Sequence, residues 1–289
     1  MMTSPTGAEP RLAPPARERR HTLYFLEAIR DFSPVFLDTE VDATRLLAHR
    51  AAAREAGHRR SVVGYLLVAA GEVLARHPEA NSAYRGGPRP RVATYPTVTG
   101  KVTLDRTLGG TRVVLSTVVP EPHTAGLAEV QRRLDRVLDG DPAELPEFAG
   151  VRALHRMSWL RGRLRFARAA RDLRLRPLIT GTFAVTSLGH RPVDGFHSVG
   201  GTTITLGLGR IADRPAVRDG EIVVAPVFRL SLAFDHRVID GAEAADVLAE
   251  IRTALEEWPE PEPEPEPDPV AVAVAGQESG ESAPSEVTA

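Results

Sequence analysis

Apolar residues along the 289-residue chain recur at a helical period in some segments and alternate with polar residues, or cluster as β-branched runs, in others. The strand signal occurs in five segments, at residues 91–99, 112–119, 182–187, 203–208 and 227–234. The helical signal occurs in four segments, at residues 42–56, 62–76 with Ser61 as N-cap, 126–138 and 241–258. This alternation predicts an α+β fold, a mixed sheet with helices packed on one side.

The last predicted strand leads directly into a histidine and an aspartate that are four residues apart. The stretch Phe-Asp-His-Arg-Val-Ile-Asp-Gly-Ala, residues 234–242, places His236 and Asp240 in the turn before the last helix. Imidazole takes up and returns a proton near neutral pH, and a nearby carboxylate can hold its orientation. The pattern indicates an acyl-transfer enzyme with His236 as general base. An isolated pair of this kind is more often an ordinary surface or core histidine, so its context decides.

That context resembles the end of the catalytic domain of the dihydrolipoamide acyltransferases of 2-oxo acid dehydrogenase complexes. Chloramphenicol acetyltransferase shares that fold and the His-x-x-x-Asp-Gly element. The resemblance covers about residues 19–258 and is loose between residues 84 and 176. It is carried by Arg-Leu-Ser-Leu-Ala-Phe before the histidine motif and by the segments 181–189, 206–211, 34–44 and 77–81.

The resemblance implies a chloramphenicol acetyltransferase-like two-layer sandwich in which His236 is the base. The aspartate of the motif, here Asp240, braces the loop in that family and is held by an arginine near the start of the domain. Arg19 occupies the position of that arginine, and Arg20 is the alternative. The plainer interpretation of Arg19 is a solvated charge in a basic N-terminal run.

The oxyanion donor of the family is a serine or threonine hydroxyl in the segment that corresponds to residues 181–189. Thr186 takes the place of that serine and retains the hydroxyl donor. Ser187 points to the opposite face if the strand continues, so only one of the two side chains can face the site. The alternative for Thr186 is a strand-end threonine that bonds its own backbone.

The resemblance also implies coenzyme A or acyl-coenzyme A as the cofactor. The sequence shows neither a lipoyl domain with its Asp-Lys-Ala hairpin nor a subunit-binding domain, so we expect the lipoyl group only in trans, on a separate lipoyl-bearing protein. In the family the site forms between neighbouring subunits, which predicts a homotrimer or larger, with 2-oxo acid dehydrogenase complex components as partners. Two other functions stay open: a stand-alone acetyl-coenzyme A-dependent small-molecule acetyltransferase, and a catalytically idle oligomeric scaffold.

Two segments depart from the family. Residues 200–203, Gly-Gly-Thr-Thr, replace an Asn-Pro-Pro-Gln-like turn, so the wall near the acyl or pantetheine arm is expected to differ. Residues 152–176 hold nine arginines against the single acid Asp172. Arginine is the preferred partner of phosphate, which favours a contact with coenzyme A over nucleic acid, because aromatic residues are nearly absent. The candidates for this contact are Arg161, Arg163, Arg165 and Arg168.

The plainer interpretation of this arginine-rich segment is a helix with solvated arginines. Its buried face would consist of Met157, Leu160, Leu164 and Ala167.

The amino-acid composition excludes several kinds of site and chemistry. The chain has no cysteine, which excludes disulfides, thiolate metal sites and a cysteine nucleophile and fits a reducing cytoplasm. No window approaches the run of about 18 apolar residues that a membrane helix needs, so we expect a cytoplasmic protein without a membrane partner. His190 and His197 share one loop, but no cluster of carboxylates and histidines at ligand spacing accompanies them, so no metal is expected.

The net charge of −2 combines two unlike parts. Residues 259–289 carry eight of the 38 acidic side chains and no basic one, which leaves residues 1–258 with an excess of basic over acidic side chains. The tail opens with an alternating Pro-Glu run that favours an extended polyproline conformation. We therefore predict a disordered N-terminal segment (1–18), an acyltransferase catalytic domain (19–258) and a disordered acidic Pro/Glu tail (259–289).

Overall fold

Most of the strands form one mixed sheet, and helices pack beside it. The computed structural model of the protein describes residues 12–218 and 220–259. The helices are α1 (Arg20–Ala28), α2 (Thr44–Glu55), α3 (Val62–Arg76), α4 (Pro122–Asp139), α5 (Ala149–Arg156), α6 (Trp159–Arg171), α7 (Arg176–Ile179) and α8 (Gly241–Glu256). The strands are β1 (Pro34–Asp42), β2 (Ser82–Arg85), β3 (Arg91–Thr94), β4 (Thr99–Leu108), β5 (Thr111–Pro120), β6 (Phe183–Ser187), β7 (Ile204–Leu208), β8 (Ala212–Arg218) and β9 (Glu221–Asp235).

The main sheet has seven strands. β1, β9, β7, β6, β4 and β5 lie side by side in that order, and β8 pairs with β9. The pairs β4–β6 and β6–β7 are parallel, whereas the other pairs of this sheet are antiparallel. β2 and β3 form a separate two-stranded hairpin. The predicted α+β sandwich with a mixed sheet is confirmed.

One face of the sheet is covered by α3 and α8. α3 begins after Ser61, whose hydroxyl accepts a hydrogen bond from the Gly64 amide at 3.2 Å, as the sequence predicts for its N-cap. The helix is buried along most of its length because the sheet, α4 and α8 surround it. Alternate residues of β9, including Leu230, Leu232 and Phe234, point into this core.

The second face of the sheet is crossed by α1. Phe25 and Ile29 of this helix lie against Gly201, which has a φ of +78° and at which an added Cβ would be 2.9 Å from the Phe25 ring. Only glycine permits both the left-handed backbone and this close approach. The polar positions of the strands face this side, among them Lys101 of β4 and Thr186 of β6.

Three element boundaries differ from the predictions by more than two residues, and one of them is the start of β9, at Glu221 instead of residue 227. The strand predicted at residues 91–99 is two strands, because β3 ends at Thr94 and β4 begins at Thr99, with Pro96 between them. Proline cannot donate to the hydrogen-bond ladder, so it interrupts the strand. α4 begins at Pro122, before the predicted start, and Gly126 with a φ of +75° kinks it.

The buried face predicted for the arginine-rich segment is wrong. The segment forms α5 and α6, and on α6 Leu160 and Leu164 are 70% and 50% exposed. The residue of α6 that is buried is Gly162, which lies against the ring of Tyr24 of α1. The absence of a side chain at Gly162 lets the two helices approach closely, and this turns the leucines outward.

Both predicted terminal segments, 1–18 and 259–289, lie mostly outside the described residues, which exclude 1–11 and 260–289. None of the helices in the described ranges combines the length and the apolar character that a membrane crossing needs. Within the same ranges, no three histidine, aspartate or glutamate side chains are grouped so as to hold a metal ion.

Candidate active site

His236 lies in the turn between β9 and α8. Its backbone amide donates to the Ser33 carbonyl at 3.0 Å, which ties the turn to the segment before β1. Its Nδ1 is 3.3 Å from Asp240 Oδ1, and the two side chains are 47% and 89% exposed. This contact through Nδ1 leaves Nε2 as the nitrogen for proton transfer.

Asp235 and Arg237, on either side of His236, form a buried ion pair. Asp235 is 2% exposed, and Arg237 binds both of its oxygens, with Nε–Oδ1 at 2.8 Å and Nη2–Oδ2 at 2.6 Å. The hydrogen bond with Asp235 raises the pKa of Arg237, whose guanidinium also lies over the rings of Phe32 and Tyr84. This bidentate pair fixes the turn that carries the histidine. Neither residue was assigned a role from the sequence, although opposite charges around the histidine were an available signal.

Thr186 and Ser187 end β6 and point in different directions. The Thr103 hydroxyl of β4 donates to Thr186 Oγ1 at 2.9 Å. Ser187 Oγ instead accepts from the Gly189 amide at 3.3 Å, within its own turn. Because Thr186 Oγ1 is the acceptor in its bond with Thr103, its own proton is available to a substrate oxygen. Ser187 Oγ also acts only as an acceptor and keeps its proton, so the strand alternation separates the two residues. Ser187 shares the core face of β6 with Val185, whereas Thr186 is on the opposite face, where a substrate oxygen could accept its proton. This alternation favours Thr186 over Ser187 as the oxyanion donor.

His236 and Thr186 do not meet within one chain. Thr186 pairs with Gly207 in the sheet, and Gly207 pairs with Ser231. His236 comes five residues after Ser231, just beyond the end of β9, which lies two strands away from β6. It therefore lies about 17 Å along the sheet and about 10 Å across it from Thr186. One chain supplies the two groups at separate places.

The predicted brace between Arg19 and Asp240 is not formed within the chain. The side chain of Arg19 is exposed, and α1 starts beside β5, where His21 Nε2 lies 2.8 Å from a β5 carbonyl oxygen. Asp240 follows β9, which β7, β6 and β4 separate from β5. Four inter-strand spacings amount to about 19 Å. Arg20 points elsewhere as well, because its Nη1 donates to the Met157 carbonyl at 2.9 Å.

The arginines of α6 include one that is engaged within the fold. Arg163 binds Glu27 of α1, with Nε–Oε2 at 2.8 Å, and this bond lowers the pKa of Glu27. The candidates that are exposed and form no ion pair within the described part of the chain are Arg161, Arg165 and Arg168.

Lys101 is a buried cation outside the set of site residues predicted from the sequence. It is 4% exposed, its Nζ donates to the Gly200 carbonyl, and the Phe25 ring centroid lies 4.9 Å from Nζ. Burial, with a smaller contribution from the charge of Arg176, lowers the pKa of Lys101 to about 8. The available signal was a lysine inside a strand whose flanking positions are apolar or small.

The histidine turn and Thr186 fall in a segment that matches a known family. Residues 160–261 match the 2-oxoacid dehydrogenases acyltransferase (catalytic domain) family. This part of the chain is similar to the 2-oxoacid dehydrogenase acyltransferases. His236, Asp240 and Thr186 all lie within the acyltransferase match.

Two acyltransferase relatives are similar over a short segment. The dihydrolipoyllysine-residue acetyltransferase component of the pyruvate dehydrogenase complex of Bacillus subtilis (strain 168) is 60% identical over 52 residues, which are 18% of this chain and 12% of that protein. The same component of Staphylococcus aureus (strain Mu50) is 58% identical over 50 residues, 17% of this chain and 12% of that protein. The match thus spans about an eighth of the length of these relatives.

Solved acyltransferase structures share the fold over most of the chain. A probable dihydrolipoamide acetyltransferase of Listeria monocytogenes has a TM-score of 0.64 and 17% identity, and the match covers 87% of this chain and 96% of that chain. The cubic core of a pyruvate dehydrogenase multienzyme complex has a TM-score of 0.62 and 21% identity, with 86% and 92% covered. The dihydrolipoamide acetyltransferase of Azotobacter vinelandii gives 0.62 and 22%, with the same coverage. At these identities the likeness concerns the fold, and it extends beyond the matched residues 160–261.

Proposed function

We propose that the protein is an acyltransferase that moves an acyl group between coenzyme A and a thiol such as that of dihydrolipoamide on a partner protein. One observation carries the proposal. His236, a general base with Nδ1 held 3.3 Å from Asp240, stands on a turn that the buried Asp235–Arg237 pair fixes, inside the segment that matches acyltransferases. The Bacillus subtilis relative, an acetyltransferase component of a pyruvate dehydrogenase complex, supports the choice of acceptor. The comparisons do not favour the stand-alone acetyltransferase or the idle scaffold.

The chemistry of the exchange needs a base and an oxyanion donor. His236 Nε2 removes the proton of the acceptor thiol, and the resulting thiolate attacks the carbonyl carbon of the acyl thioester. Thr186 donates its hydroxyl proton in a hydrogen bond to the carbonyl oxygen while negative charge develops there. When the intermediate collapses, the old carbon–sulfur bond breaks, and the imidazolium of His236 returns its proton to the departing thiolate.

The separation of His236 and Thr186 bears on the assembly. A single chain holds them about 17 Å apart along the sheet, too far to act on one carbonyl. In our proposal, neighbouring subunits of a homotrimer or a larger assembly complete the site, with His236 from one chain and Thr186 from the next. The hairpin of β8 and β9 exposes Val217, Ile222 and Val224, which is consistent with burial against another subunit.

The same proposal places the lipoyl group on a separate protein in the cytoplasm and makes 2-oxo acid dehydrogenase complex components the partners. Coenzyme A would be held in part by arginines of α6. Asp240 would brace the histidine through Nδ1, whereas Arg19 would need a second chain to reach it.

The test measures, by chromatography, the free coenzyme A that forms from acetyl-coenzyme A when dihydrolipoamide is the acceptor. The wild-type protein should turn over, and His236→Ala should lower kcat by about 10² to 10⁴. His58→Ala is the matched control, because His58 is exposed in the connection between α2 and α3. Equal activity of wild type and His236→Ala would refute the proposed role of His236.

A further inference from the structure

Two cations hold one turn on the second face of the sheet. Lys101 Nζ donates to the Gly200 carbonyl, and Arg176 Nη1 donates to the Gly201 carbonyl at 3.4 Å. The Gly200 amide in turn donates to Thr205 Oγ1 at 2.9 Å. Lys101 is buried, and Arg176, at the start of α7, is half-buried.

No carboxylate among residues 12–218 and 220–259 forms an ion pair with either cation. Asp235 is the carboxylate whose charge reaches Arg176, and both of its oxygens are already bound by Arg237. Lys101 and Arg176 thus lie near each other without a carboxylate of their own, because Asp235 is bound by Arg237, and this leaves an excess of positive charge in a partly dehydrated place. Such an excess is unfavourable without a counter-charge. The electrostatics favour an anion beside this turn.

The turn is connected to the catalytic histidine. The backbone amide of Asp235, the residue before His236, donates to the Thr203 carbonyl at 3.0 Å. Burial lowers the pKa of Arg176, and Tyr95, Asp235 and Arg237 also act on this pKa through their charges; the last two residues flank the histidine. An anion bound at Arg176 would therefore lie near the base and not at the far end of a long cofactor arm.

We propose that Arg176, with Lys101 behind it, binds a carboxylate at the distal end of the acyl group, so that the preferred acyl donor is the coenzyme A thioester of a dicarboxylic acid. The inference rests on the proposed acyltransferase function. A carboxylate suits the place better than a phosphate, because it is smaller and planar, and because a guanidinium can bind it with two parallel hydrogen bonds. The phosphates of coenzyme A are separated from the thioester by the whole pantetheine arm.

The test compares succinyl-coenzyme A with butyryl-coenzyme A, in which a methyl group replaces the carboxylate. With dihydrolipoamide as acceptor, kcat/KM of the wild-type enzyme should be about 10- to 100-fold higher for the succinyl thioester, the range expected for a charge-assisted hydrogen bond. Arg176→Gln should remove this preference by lowering kcat/KM for the succinyl thioester alone. Arg176→Lys should keep part of it. Arg45→Gln, at an exposed position of α2, is the matched control and should leave the preference intact.

Three results would overturn the inference. The first is a wild-type enzyme that uses both thioesters equally or prefers the butyryl one. The second is an Arg176→Gln variant in which kcat/KM falls equally for both thioesters. Both carry the same coenzyme A phosphates, so an equal loss would indicate that Arg176 contacts a phosphate. The third is equal affinity of the His236→Ala protein for the two thioesters in titration calorimetry. The proposed site predicts that succinyl-coenzyme A binds about 10-fold more tightly than butyryl-coenzyme A.

The calorimetric result also separates this inference from the proposed function. Absence of turnover with any thioester would refute the acyltransferase activity and, with it, the preference as an enzyme specificity. Selective binding of the succinyl thioester would still support the carboxylate site, and its loss in Arg176→Gln would assign it to this residue.

Discussion

Thr103 donates its hydroxyl proton to Oγ1 of Thr186 across 2.9 Å, from β4 to the neighbouring strand β6. The bond orients the Thr186 hydroxyl and uses only its acceptor capacity. The proton of Thr186 is therefore available for the second face of the sheet, where α1 and the Gly200 turn also lie. A side chain that is held in this way meets the requirement for a preorganised oxyanion donor.

Thr186→Val should lower kcat by about 10² to 10³, the loss expected when one oxyanion donor is removed. Thr186→Ser should retain most of the activity because it keeps the hydroxyl. Steady-state kinetics with acetyl-coenzyme A and dihydrolipoamide measure both. Ser187→Ala is the control, since Ser187 is on the core face of β6, and a larger loss for Ser187→Ala than for Thr186→Val would reverse the assignment.

Arg237→Gln should destabilise the fold by about 3 to 5 kcal/mol, because it leaves the buried carboxylate of Asp235 without its partner. Urea denaturation followed by circular dichroism gives the free energy of unfolding. Adding Asp235→Asn to Arg237→Gln should restore part of the loss, since the unpaired charge is then gone. Strict additivity of the two single changes would argue against a coupled pair.

His77 makes the stability depend on pH. Its Nδ1 lies 2.7 Å from Glu243 Oε1 and its Nε2 lies 3.0 Å from Glu250 Oε1, both on α8. Burial opposes the charged form, but the two carboxylates outweigh it, so the pKa of His77 is raised above 6.5 in the folded protein. A raised folded pKa gives stability that is complete below the unfolded pKa and is lost as pH rises through the folded value.

The midpoint of urea denaturation should therefore fall as pH rises from about 6.5. His77→Gln should flatten this dependence by removing the titrating group. His58→Gln, on an exposed connection, should keep the slope. A slope in His77→Gln equal to that of the wild type would exclude His77 as its source.

The exposed arginines of α6 are expected to contact coenzyme A. Replacing Arg161, Arg165 and Arg168 together by glutamine should raise KM for acetyl-coenzyme A and weaken its dependence on salt, because charge–phosphate contacts are screened by ions. kcat should be unchanged, since the turn of His236 is elsewhere. The same measurement on Arg45→Gln is the control, and an unchanged KM in the triple variant would assign these arginines to solvent.

Much of this fold follows from local patterns. The N-cap at Ser61, the apolar run of α3 and the strand before His236 all carry strong periodic signals, and the structure has them where they were predicted. The exposure of Leu160 and Leu164 could not be predicted from the local pattern of apolar residues. It depends on Gly162 meeting Tyr24 of another helix, and such a tertiary contact has no signature in the local period.

In the site, too, local features could be predicted from the sequence and tertiary ones could not. The pairing of His236 with Asp240 is local, because four residues and one turn set it. Arg19 does not reach Asp240 within the chain, and Lys101 is buried. Both facts depend on the order of strands in the sheet and on the path of α1. Those features are set by residues far apart in the chain, so spacing alone does not contain them.

The central claim is that His236 of one chain works with Thr186 of another. His236→Ala and Thr186→Val, each inactive alone, should complement each other when the two variants are co-expressed with different tags and mixed oligomers are purified through both tags. Every mixed trimer has one interface with an intact histidine and an intact threonine, so about one third of the wild-type activity should return. Mixed oligomers as inactive as their parents, or a fully active wild-type monomer in sedimentation analysis, would contradict the shared site.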